Sequence, residues 1–85
     1  MAENTVTGKL VDGGNPQELS REIISALAEI GKLGYQATFD EIGGPDDHLT
    51  IHFTRKSKEQ SLIIPGWVWR HRGGIRQTII DELKI

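Results

Sequence analysis

The sequence predicts an α+β fold of two layers, with the element order helix, three antiparallel strands, helix. Three observations carry this: a capped amphipathic helix after Asn15, two alternating segments between Tyr35 and Thr54, and a second helical stripe at Ile75, Ile79, Ile80 and Leu83. Two apolar helix stripes and one apolar sheet face are best buried together, so both helices are expected on one side of the sheet.

The first helix has the clearest start. Asn15 suits the N-cap, Pro16 the first helical position, and the charge of Glu18 the helix dipole. Leu19, Ile23, Ala26, Leu27, Ile30 and Leu33 recur at spacings of three and four, while Arg21, Glu22, Ser25, Glu29 and Lys32 fall largely on the other face. Gly31 and Gly34 offer two ends. Upstream, the β-branched residues of segment 5–11, interrupted by Gly8, read as an edge strand or as part of an N-terminal extension over residues 1–14, closing on the turn cluster at 12–15.

Tyr35, Ala37 and Phe39 alternate with Gln36, Thr38 and Asp40, predicting a strand to about Ile42 and a turn over residues 43–47. The next run sends Leu49, Ile51 and Phe53 to one side and His48, Thr50, His52 and Thr54 to the other. A charged connection from Arg55 to Glu59 leads to a third strand, Gln60 to Ile64, stopped by Pro65, whose missing N–H cannot continue a central ladder. A loop from Gly66 to Gly74 precedes the closing helix. Packing both helices on Leu49, Ile51 and Phe53 leaves the histidine face open.

Composition bounds the function. The chain has 85 residues, 36% hydrophobic and 26% charged, which is room for one folded domain over residues 1–85. The absence of cysteine excludes a disulfide scaffold, a thiolate zinc site and a cysteine nucleophile. The longest apolar run, Leu62 to Ile64, is far short of the roughly 20 residues of a membrane span, and residues 1–15 lack the regions of a secretory signal. A soluble, cytoplasmic protein that does not engage membranes is expected.

The net charge of −2 argues against indiscriminate coating of nucleic acid, yet it conceals an asymmetry. Residues 1–54 hold three basic against nine acidic side chains, whereas in residues 55–76 Arg55, Lys56, Lys58, Arg70, Arg72 and Arg76 face only Glu59. Such a patch fits one anionic partner docked at a defined place, or simply a solvated face.

Over about residues 19–83 the order and motifs resemble the HicA toxin family, small ribonucleases of toxin–antitoxin modules with a fold similar to a double-stranded-RNA-binding domain. The resemblance is carried by Gly34-Tyr35 after the first helix, His48 opening the second strand, Ile64-Pro65 ending the third, and the segment from Gly74 through Leu83. The family usually presents Gly-Ser-His at the second strand; this chain has Asp46-Asp47-His48, so only the histidine carries over. The histidine that often follows the family's Ile/Val-Pro is replaced by Gly66. The resemblance makes residues 15–85 a HicA-like core. It implies RNA as ligand, mRNA cleavage without a cofactor, and a small acidic antitoxin covering the open face.

On that reading His48 is the general acid or base, because imidazole titrates near neutral pH, and the six cations contact phosphate. The bland alternative is an exposed strand histidine. His48 and His52, four residues apart on a strand, are separated by about 13 Å, so they cannot share a metal, and no metal site is predicted. Trp67-Val68-Trp69-Arg70-His71-Arg72 interleaves aromatics with cations, the composition of a platform that stacks bases and neutralises phosphates, or of a protein-binding anchor. In an extended segment Trp67 and Trp69 share one side; alternatively the indoles fold back over the core. The competing function is thus a noncatalytic interaction or regulatory module using Trp67, Trp69 and Arg70, with segment 5–11 pairing between subunits of a homodimer through its free edge.

Overall fold

The computed structural model describes residues 3–11 and 14–84. The elements are β1 (Thr5–Lys9), α1 (Pro16–Glu29), β2 (Gln36–Ile42), β3 (His48–Arg55), β4 (Lys58–Pro65), α2 (Gly66–Trp69) and α3 (Gly74–Leu83). The fold is α+β, but its sheet has four strands in the order β1-β2-β3-β4 rather than three antiparallel ones. Segment 5–11 supplies the fourth, from Thr5 to Lys9, and it lies parallel to β2, with α1 as the crossover between them. The other two pairings are antiparallel, as a meander requires.

Asn15 caps α1 through its side chain, which accepts from the backbone N–H of Gln17 at 3.0 Å. The helix ends at Glu29, earlier than either expected glycine, and Leu33 lies beyond the stripe and is exposed. From the turn cluster, residues 12 and 13 lie outside the described residues. α1 packs over β1, α3 over β4, and the helices touch each other on one side of the sheet. Leu19, Ile23, Ala26 and Leu27 of α1 meet Ala37 and Phe39 of β2, Leu49, Ile51 and Phe53 of β3, Ile64 of β4, and Ile75, Ile79 and Leu83 of α3. Each large aliphatic or aromatic side chain buried this way contributes about 1.5–3 kcal/mol.

Gly8 is a fitted position rather than an interruption of its strand. It pairs with Phe39, and a Cβ there would collide with both the Phe39 ring and the Phe39 carbonyl oxygen, so the glycine lets β1 approach β2 with that ring beside it. The expected charged connection at residues 55–59 contracts to a two-residue hairpin, Lys56-Ser57, because β3 and β4 stay paired out to Arg55 and Lys58. The expected loop after Pro65 opens with one helical turn, α2, so Trp67 and Trp69 do not share a face of an extended segment. No helix of the described residues is long and apolar enough to cross a membrane.

Candidate nucleic-acid interface

Alternation along each strand decides where the cations go. On β3 the odd-numbered residues Leu49, Ile51 and Phe53 face the helices, so Arg55 continues on that side just past the end of the core. Its cross-strand partner Lys58 projects to the same side, and so does Tyr35, which precedes Ala37 and Phe39 by the same period of two. The α1–β2 connection brings Lys32 over this end. Lys32, Tyr35, Arg55, Lys56, Ser57 and Lys58 line one concavity of about 470 Å³.

Tyr35 anchors this concavity. Its backbone N–H donates to Asn4 Oδ1 at 3.1 Å, its ring meets Phe53 edge-on at 6.2 Å, and the guanidinium of Arg55 lies over it at 5.8 Å from the ring centre. Among the described residues none of Lys32, Arg55, Lys56 and Lys58 is ion-paired with a carboxylate. Two features of the tip cost stability. Arg55 and Lys58 are like charges directly opposite each other, and Lys56 holds φ at 58°, in the left-handed region that favours glycine.

His48 lies elsewhere. It begins β3 on the open face, opposite Ile42 on one side and Pro65 on the other, seven residues and about 23 Å from Arg55 along the strand. His48 and the group Arg55, Lys56 and Lys58 therefore occupy opposite ends of the sheet, with Arg55 and Lys58 on its opposite face. The His48 ring is half-buried, with Nδ1 2.8 Å from the Asp46 carbonyl oxygen. Pro45, Asp46, Asp47, Ile63, Pro65, Gly66 and Trp67 complete its concavity. Ile42, Ile63 and Trp67 are 43%, 65% and 80% exposed, so this end of the open face is apolar with an acidic margin. His52, farther along the same face, pairs with Ser61, Nδ1 to Oγ 2.8 Å, on a flat exposed stretch.

The remaining expected cations are distributed apart. Arg70 donates to Asp47 and, at 3.0 Å, to Oε2 of the buried Glu41, while stacking on Trp69 at 4.8 Å from the ring centre. The hydrogen bond to Asp47 is the largest cause raising its pKa above the ordinary arginine value. Arg70 is thus engaged with carboxylates, at the end of the sheet away from Arg55, Lys56 and Lys58. Arg76 pairs with Glu29 across α3 and α1. Arg72 is exposed in the link between α2 and α3. Trp69 packs half-buried against the core, its indole N–H buried without a hydrogen-bond partner among the described residues, whereas Trp67 points to solvent. Of Trp67, Trp69 and Arg70, Trp67 is thus the exposed ring, Trp69 lies half-buried, and Arg70 is turned to Asp47 and Glu41.

Reasoning on the sequence missed Lys32 and Tyr35 as site residues. The signal that reaches Tyr35, Arg55 and Lys58 is the parity of the strands carried past the last core residue; nothing in the local pattern reaches Lys32. Comparison with protein-family models, with curated proteins and with solved structures finds no match.

Proposed function

We propose that the chain is an RNA-binding domain that holds a single strand by its phosphates at the β3–β4 tip. The observation that carries this reading is the convergence of Lys32, Arg55, Lys56 and Lys58 on one concavity beside Tyr35, with no carboxylate paired to them among the described residues. Cations freed of internal partners and set beside an aromatic ring are the elements from which single-strand sites are built. Apart from the single turn α2, the elements of residues 16–83 run helix, three strands, helix, the order expected of the HicA-like domains that the sequence resembles, which favours RNA as the ligand. The reading extends to binding and not to cleavage, because a phosphate held at the tip is about 23 Å of strand away from His48.

The test is titration of a short single-stranded RNA against the chain and against the Arg55→Gln/Lys58→Gln variant over a range of salt. Binding should weaken with salt at a slope of about −0.7 per phosphate contact, and the variant should bind at least about tenfold more weakly. RNA bound no better than a polyglutamate peptide would instead make the tip a site for an acidic protein.

A second reading rests on the other end of the molecule. Ile42, Ile63 and Trp67 form an exposed apolar cluster around His48, the composition of a protein contact, with Trp67 as its anchor. The two readings use different residues and are compatible in one chain.

A further inference from the structure

We infer that the tip recognises the end of an RNA strand, taking a terminal phosphate monoester in the concavity of Lys32, Arg55, Lys56 and Lys58. The inference rests on the RNA-binding reading and narrows it.

The cations are gathered at a point and not laid out as a track. Arg55 and Lys58 are direct cross-strand partners, so their Cα atoms are within about 5.5 Å, and Lys56 sits in the turn between them. Lys32 closes the group from the α1–β2 connection. A strand running from the tip over the open face would meet Glu59 first, and farther on Asp40, which sits opposite Lys9. Over the helices it would meet Glu29, already paired with Arg76. Among the described residues neither direction offers a second group of cations to successive phosphates.

The charge balance points the same way. An internal phosphodiester carries one negative charge, whereas a phosphate monoester carries about −1.5 to −2 at neutral pH together with three strong acceptor oxygens. Four cations around one concavity of about 470 Å³ are more than a single diester neutralises, and they suit a compact dianion with an attached nucleoside. Arg55 adds a planar surface. Its exposed guanidinium lies 5.8 Å from the centre of the Tyr35 ring, so a base at the end of the strand would find a planar cation beside an aromatic ring.

The experiment uses one ten-nucleotide RNA in three forms, with a 5′-phosphate, with a 3′-phosphate, and with hydroxyls at both ends, each titrated by fluorescence anisotropy. At least one phosphorylated form should bind about tenfold more tightly than the hydroxyl form, which identifies the end being read. Lys56→Gly and Lys58→Gln, both at exposed positions, should erase that preference while leaving the circular dichroism spectrum unchanged. Equal affinity for all three forms, with the same substitutions weakening each, would overturn end recognition while leaving RNA binding at the tip intact. Affinity for every form unmoved by the substitutions would overturn the tip as an RNA site altogether.

Discussion

Glu41 and Arg70, 29 residues apart in the chain, meet at one end of the sheet, where Oε2 of the buried carboxylate accepts from the guanidinium at 3.0 Å. The other oxygen, Oε1, accepts from the backbone N–H of Val11 at 3.1 Å, and the same guanidinium grips Asp47. The Asp47 carbonyl in turn accepts from the Gly66 N–H at 2.9 Å. A Cβ on Gly66 would enter the space where the Asp47 carboxylate and Arg70 meet, so glycine leaves room for that contact. The segment after β1, the β2–β3 turn and the start of α2 are thereby fastened together around one buried charge.

Glu41→Gln keeps the shape and removes the charge, so it should cost about 2 kcal/mol of stability, read from urea denaturation. Arg70→Ala should also destabilise, by stranding the buried carboxylate. Because both changes break the same contact, the double variant should be less destabilised than the two effects added together. Strict additivity would show that the pair is not coupled.

This clamp also marks where the sequence is silent. Alternation from Tyr35 through Phe39 identifies the inward face of β2 and places Glu41 on it, but nothing local names the partner that a carboxylate at an inward position needs. Arg70 comes from an element whose position depends on the whole fold. The start of α1, the histidine face of β3 and the stripe of α3 were legible because each is set by local periodicity and capping. The parallel pairing of β1 was not, since its partner lies 31 residues on, at Thr5 with Gln36, and no turn links them directly.

Gly8→Ala tests the closeness of β1 to β2. The added methyl would have to displace the Phe39 ring from a packed core, so a loss of about 1–3 kcal/mol is expected, measured by thermal or urea unfolding. The pair Gly8→Ala/Phe39→Ala, which removes every ring atom the methyl would meet, should lose less than the two single changes added together, although the contact with the Phe39 carbonyl oxygen remains. Strict additivity would place the strain at that backbone contact instead.

The two tryptophans should separate cleanly. Trp67→Ala, at an 80% exposed position, should change stability by no more than about 0.5 kcal/mol and should abolish capture of any protein partner of the open face. Trp69→Ala should cost about 2–3 kcal/mol through lost packing. Trp69→Phe should cost far less, because it retains most of the ring and removes a buried N–H that has no acceptor among the described residues. A large loss for Trp69→Phe would reveal that the indole nitrogen does have a partner.

Lys56→Gly sets fold against function at a single residue. Lys56 holds φ at 58°, a conformation that costs an L-residue about 1–2 kcal/mol and glycine very little. The substitution also relieves repulsion from Arg55 and Lys58. Glycine gives back some of this gain through the greater freedom of the unfolded chain, so a net rise of about 0.5–1 kcal/mol is expected. The same change should weaken RNA binding several-fold by removing one of the four cations of the tip. Greater stability with poorer binding is the signature of a residue kept for its ligand, whereas a variant that gains stability and binds RNA unchanged would make the lysine at this turn incidental.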